Sequence, residues 1–203
     1  MTTTAVDGRT ARREANRIAV LDTVIEMFTE GETDPTAQEV ARRSGVSIRS
    51  VYRYVADKDD LSRAAIARHV ERIGHLFELD DIGVGSFDDR VTRFVNARLR
   101  LYEAIAHTNR VARLRANFNP VIDEQLEVAR RTLQEQFAAH FATELARLPT
   151  RDRRLVTAAA DALIQIDSID HFREHLGLSA RATREVLDEA LHRLFGVRVK
   201  EDA

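Results

Sequence analysis

Three short stretches of the chain carry side chains in patterns able to do chemistry. In His171-Phe172-Arg173-Glu174-His175 two imidazoles stand about one helical turn apart with a carboxylate between them. That is the H-x-x-E-H order in which two histidines hold zinc and a glutamate activates water. Such a site needs a third ligand, and downstream only His192 and a few carboxylates remain, so a solvent-facing helix end is the competing reading. Gly83-Val84-Gly85 has no third glycine, no preceding strand and no lysine, and reads as a turn rather than a phosphate loop. Serine, histidine and aspartate all occur, but no nucleophile elbow frames them. The chain has no cysteine, which excludes disulfides, thiolate catalysis and thiolate metal sites. The expectation is a protein that is not an enzyme and carries no metal and no cofactor. The alternative is a helical metal-dependent hydrolase using His171, Glu174 and His175.

The third stretch, VSIRSVYRYV from Val46 to Val55, has a different chemistry. Two of the chain's three tyrosines, Tyr52 and Tyr54, flank Arg53 here. Amphipathic rings beside a guanidinium suit a surface that meets sugars, phosphates and base edges. The net charge of −2 and pI near 6.4 argue against a chain that coats nucleic acid along its whole length. Locally the balance is positive: between Thr36 and Val70 seven cations stand against four carboxylates. The N-terminal stretch adds Arg9, Arg12, Arg13 and Arg17.

The elements that must position these residues are helices. Three prolines, eight glycines and 32% charged residues describe long amphipathic segments, and the expected fold class is all-α. Residues 1–10 read as a disordered arm. A first helix from near Thr10 carries Val20, Leu21, Val24, Ile25 and Phe28 at three- and four-residue spacing and stops at Gly31. Thr36 can cap a short helix that ends at Ser44-Gly45, and Ser47 a second. A fourth starts around Asp57 and breaks at IGVGS; the next follows Ser86 and Asp89, spaced as a capping box. Beyond Asn117 to Pro120, Val121 to Leu148 reads as one long helix closed by Pro149. The helix from Arg151 to about Leu176 is apolar on two faces and needs partners on both, and a last helix follows Ser179 to Phe195. Nothing resembles a signal peptide or approaches roughly 18 uninterrupted apolar residues, so a soluble, cytoplasmic protein is expected.

Val51 to Val55 also alternates like a strand, but that would set Arg53 in a row with two valines and leave it without a partner strand. A helix puts Val51 and Val55 one turn apart toward a core, and Arg49 and Arg53 together on another side. Two short helices joined through Ser44-Gly45-Val46 then form a helix-turn-helix, with Ala41 at the crossing and Val40, Val46 and Val51 as core. At this point TAQEVARRSGVSIRSVYRYVADKDDL resembles the signature of TetR-family transcriptional regulators. The matching residues are Thr36, Val40, Ala41, Gly45-Val46-Ser47, Val51, Tyr52, Val55, and Lys58 ahead of Leu61; the likeness runs from Arg12 to about Ile66. The chain departs from the pattern at Tyr54 and Val55, where many members carry His or Phe, and Ile48 with Arg49 occupies the most variable base-reading positions.

The resemblance implies a helix-turn-helix DNA-binding domain over residues 1–56 and a helical effector-binding and dimerisation domain over 57–203. It implies a homodimer through the last two helices, about 151–176 and 179–195, bound to double-stranded operator DNA and responsive to a small-molecule effector. The expected DNA contacts are Thr36, Ser47, Ile48, Arg49, Ser50, Tyr52, Arg53, Tyr54 and Lys58, with a solvated surface, or for Tyr54 a ring at the rim of the core, as the bland reading. Arg98, a cation on an apolar helix stripe, could pair with an anionic group on an otherwise apolar effector. Snorkelling or a salt bridge is its competing reading. Phe94, Phe118 and Phe137 are candidates to line the same cavity.

Overall fold

The computed structural model describes residues 8–196 apart from 33 and 56, and the side chains of Arg9, Lys58 and Asp59 also lie outside that description. All regular structure among the described residues is helical: α1 (Gly8–Thr29), α2 (Ala37–Ser44), α3 (Ile48–Tyr54), α4 (Lys58–Ile73), a 3-10 turn (Gly74–Phe77), α5 (Phe87–Ala116), α6 (Pro120–His140), α7 (Ala142–Arg147), α8 (Thr150–Ile164), α9 (Ile166–Asp170), a π turn (His171–His175) and α10 (Ala180–Leu194). The all-α expectation holds. No helix among the described residues is long and apolar enough to cross a membrane. The chain divides into two compact units, residues 1–73 with 107–126, and residues 74–106 with 127–203.

The first unit is built around α1. Its stripe of Val20, Leu21, Val24, Ile25 and Met27 is buried together with Val40, Val46, Val51, Val55 and Leu61. Each fully buried side chain of this size stabilises by about 1.5–3 kcal/mol. Local signals set the boundaries of α2 and α3. The Thr36 hydroxyl accepts from the Glu39 N–H at 3.2 Å, and the Ser47 hydroxyl from the Ser50 N–H at 3.3 Å. Between them Gly45 takes φ +69°, the left-handed conformation that ends α2 and that a β-carbon resists. Asp22 of α1 receives Arg68 of α4 through two bonds of 2.6 and 2.7 Å, and hydrogen bonding to that guanidinium holds its carboxyl below the usual range.

The second unit has an aromatic interior. The Phe141 ring lies 5.1 to 6.0 Å, centroid to centroid, from those of Phe87, Phe94, Phe137 and Phe195. The single helix expected over 121–148 is two helices, because α6 ends at His140 and Phe141 leaves helical geometry at φ −108°, ψ 21°. The cause is tertiary. Arg90 Nη1 donates to the His140 carbonyl at 2.9 Å, in competition with the next helical turn for that acceptor. The imidazole is also committed, with Nδ1 accepting from the Gly83 N–H at 3.3 Å and Nε2 standing 3.0 Å from the Arg90 carbonyl.

The helix expected over 151–176 is likewise broken. Gln165 takes ψ 149°, and α8 gives way to α9 and then to the π turn. The break turns Ile164, Ile166 and Ile169 all inward, which a straight helix forbids because residues two apart lie about 200° around its axis. Asp170 is fixed there by the Tyr102 hydroxyl at 3.1 Å.

Candidate nucleic-acid interface

Seven residues are too few for a helix to persist unaided in water, so α3 depends on its attachments. There are three: the Ser47 cap at its start, Val51 wholly buried in its middle, and Val55 buried just past its end. What remains of the helix faces outward. Tyr52 is 64% exposed and Ile48 39%, with Arg49 and Arg53 also exposed. Tyr54 differs from Tyr52: its ring is half-buried against the core, and its hydroxyl accepts from Arg53 at 3.4 Å. The rim-of-core reading of Tyr54 thus describes its ring, while its hydroxyl stays at the surface edge beside Arg53. Ser47 and Ser50 are joined by a hydroxyl–hydroxyl bond of 3.0 Å and sit at the start of the same helix. Thr36 is exposed at the N-terminus of α2, where its hydroxyl caps the Glu39 N–H. Lys58 opens α4, and its side chain lies outside the described residues.

Charge pairing separates these cations into two sets. Arg42 is held by Glu39, and Arg43 by Glu30 through bonds of 2.6 and 2.7 Å that tie α2 to the end of α1. Neither Arg49 nor Arg53 meets a carboxylate among the described residues. The unneutralised positive charge of the helix-turn-helix therefore gathers on α3, beside Tyr52. The Arg43–Glu30 tie has no local sequence signal, since its partners are 13 residues apart.

The structure brings three of the four proposed effector residues together. Phe94, Arg98 and Phe137 are all buried in the second unit, the Arg98 guanidinium stacked over the Phe94 ring at 4.4 Å and the Phe94 and Phe137 rings 5.8 Å apart. Phe118 belongs to the first unit and is 90% exposed on the turn after α5, so it lines no interior. The Asn117–Pro120 turn that interrupts the helix carries its ring outward. Arg98 neither snorkels nor forms a salt bridge among the described residues. It is 1% exposed and donates to Gln136 Oε1 at 3.0 Å and to the Leu133 carbonyl at 3.2 Å, while its Nε has no partner. Burial pushes its pKa down to about 10, which leaves it cationic at neutral pH. Leu133 and Gln136 escape a reading of the sequence because these contacts span 35 and 38 residues. An open groove elsewhere in this unit runs along α10, over Val186, between Arg184, Glu185, Asp188 and Glu189, with Thr92 at its edge.

The His171 and His175 rings stack at 5.3 Å in the π turn, and both are exposed. No group of three His, Cys, Asp or Glu side chains able to hold a metal occurs among the described residues.

No protein-family model and no curated protein matches the sequence. Solved structures do. A candidate transcriptional regulator of Streptomyces coelicolor A3(2) superposes with a TM-score of 0.63 at 18% identity, covering 90% of this chain and 99% of its own. A transcriptional regulator of Rhodococcus sp. RHA1 gives 0.64 at 19% identity, covering 90% and 95%. This chain has their fold. Identities this low carry the likeness to the architecture and no further, and what the architecture does in this chain has to come from its own side chains.

Proposed function

We propose that this chain is a TetR-type transcriptional regulator that binds duplex DNA through α3. One observation carries the reading: a short helix, capped by Ser47 and held by Val51, presents Ile48, Arg49, Tyr52 and Arg53 outward with no carboxylate partner for either arginine among the described residues. Such a helix fits the major groove, where an arginine forks onto guanine O6 and N7 and a tyrosine ring lies along sugar and thymine methyl. Thr36 and Lys58 supply phosphate contacts on either side, Ser47 and Ser50 shorter ones, and Tyr54 reaches phosphate by its hydroxyl. The shared fold with two proteins described as transcriptional regulators supports the same reading.

The DNA-binding domain is residues 1–56 and the effector and dimerisation domain 57–203. Two copies pair through α8 and α10, which pack on each other and leave Leu155 and Val186 exposed. The dimer sets its two copies of α3 in successive major grooves of a pseudo-palindromic operator, about 34–36 Å or a multiple apart. A small molecule bound in the second unit favours the conformation in which that spacing fails, so the protein represses until the effector arrives. It acts in the cytoplasm, without a cofactor and without catalysing a reaction.

A gel shift on the DNA flanking the protein's own gene tests this. The wild type retards a fragment with an inverted repeat at nanomolar concentration, and Tyr52→Ala weakens retardation while leaving the circular dichroism spectrum unchanged. Equal binding by the two proteins removes α3 from the interface.

A further inference from the structure

Helix α5 buries three arginines, Arg90, Arg98 and Arg115, and the two that lie in the second unit, Arg90 and Arg98, have surroundings that differ in kind. Arg90 is neutralised by the chain itself: both terminal nitrogens reach Glu144, Nη1 also donates to the His140 carbonyl at 2.9 Å, and Nε donates to the Ser86 carbonyl at 3.4 Å. Among the described residues Arg98 has only neutral acceptors, Gln136 and Leu133, and an unpartnered Nε. A buried guanidinium without a counter-charge is costly to keep, and this fold evidently can supply a carboxylate where one is needed.

The acceptor at Nη1 is informative. Gln136 has the shape of a glutamate without its charge, and its amide nitrogen donates to the Phe77 carbonyl in the 3-10 turn. A carboxylate in that place could not donate. The amide thus bridges turn and guanidinium while leaving the positive charge uncancelled. The Phe94 ring lies beneath the guanidinium, the buried Phe137 ring packs against Phe94 at 5.8 Å, and buried Leu133 supplies its carbonyl. Burial lowers the pKa of the nearby His140, the hydrogen bond to the Arg90 carbonyl opposes this, and the fields of Arg93, Arg90 and Arg98 add to the lowering, so the net shift is downward.

We propose that Arg98 anchors the carboxylate of an apolar acid, whose oxygens take the guanidinium in place of the Gln136 amide and whose hydrocarbon or aryl body lies against Phe94 and Phe137. A single carboxylate matches one guanidinium in charge and in planar two-oxygen geometry. A phosphate monoester brings about 1.5–2 charges and would leave the remainder buried unpaired. Displacing the amide also loosens its hold on the Phe77 carbonyl in the 3-10 turn. As the site of an effector this rests on the regulator reading above; as a binding site it does not.

The test is isothermal titration of the full-length protein with straight-chain acids from butyrate to palmitate and with arylacetates, each beside its primary amide and the corresponding alkyl phosphate. At least one acid should bind ten- to a hundredfold tighter than its amide, the value of a charge-assisted hydrogen-bonded pair. Arg98→Gln should bring that acid down to the affinity of the amide. Gln136→Glu, which places a carboxylate on the guanidinium from within, should also abolish acid binding and serves where Arg98→Gln does not fold. The absence of any acid-over-amide preference across the series overturns the proposal. So does a preference that survives Arg98→Gln or Gln136→Glu, or an alkyl phosphate that binds tighter than its acid. Gel shifts run without acid separate the two readings: DNA binding without acid binding sinks the Arg98 site alone, and acid binding without DNA binding sinks the regulator alone.

Discussion

The outer edge of α3 and the interior around Arg98 both hold guanidinium groups that meet no carboxylate among the described residues, and they do so under opposite conditions. Arg49 and Arg53 stand in water, where an unpaired charge costs almost nothing to keep and each forgone surface ion pair is worth at most about 1 kcal/mol. Arg98 is 1% exposed, and its desolvation has to be carried by the rest of the fold. The surface region is therefore unpaired at no expense, whereas the interior one is unpaired despite its cost. An exposed pair of cations suits a large polyanion that can lie across the surface. An enclosed one suits a small ligand that can be surrounded.

That contrast depends on this fold penalising an unpaired buried arginine, and Glu144→Gln tests the point most severely. It leaves Arg90 enclosed without its carboxylate, and chemical denaturation should report a loss of about 3–5 kcal/mol. A loss below 1 kcal/mol would mean that the interior tolerates bare guanidinium groups, and the contrast would collapse. Arg53→Ala is the surface counterpart. It should cost about 1–3 kcal/mol of operator affinity and shift stability by no more than about 0.5 kcal/mol. Fluorescence anisotropy and denaturant midpoints measure the two, and a stability loss matching the affinity loss would make Arg53 structural. Arg98→Met removes the interior charge at similar volume and should raise unfolding free energy, by about 1 kcal/mol. A decrease would show that the hydrogen bonds to Gln136 and Leu133 already compensate the charge.

The smallest effect concerns a buried cation of the Arg90 kind. Burial lowers the pKa of His192, but the Asp188 carbonyl and the carboxylates of Asp88 and Asp188 outweigh it, and the net shift is upward. A raised folded pKa means that the protonated ring stabilises the protein fully below its unfolded pKa of about 6.5 and that this contribution is lost as pH rises through the higher folded value. Melting temperature should therefore fall slightly between pH 6 and 8 in the wild type and less in His192→Asn. Parallel curves would mean that folding leaves the pKa of His192 unchanged.

How much of this could be read from the sequence depended on how local the cause was. Thr36, Gly45 and Ser47 act on backbone groups within three residues, so the limits of α2 and α3 were visible, as was the choice of helix over strand for VYRYV. The breaks at Phe141 and Gln165 have no such signal. They follow from Arg90 taking a carbonyl 50 residues away and from three isoleucines that only a bent chain can bury together. The same limit applies to the candidate sites. Arg98 stood out as a cation in an apolar stripe, but its neutral partners, and the carboxylate given instead to Arg90, become apparent only in three dimensions. Phe118 shows the reverse error, since an aromatic residue at a turn gives no sign of which way the turn will point it.

The seven residues of α3 divide their labour cleanly. Val51 holds the helix down, with Tyr54 against the rim of the core, and Ile48, Arg49, Tyr52 and Arg53 contribute little to that hold. On the function proposed above, substitutions at those four positions change which DNA is preferred while the unit folds as before. Descendants of this chain could thus acquire new target genes by single steps that selection for stability would scarcely notice.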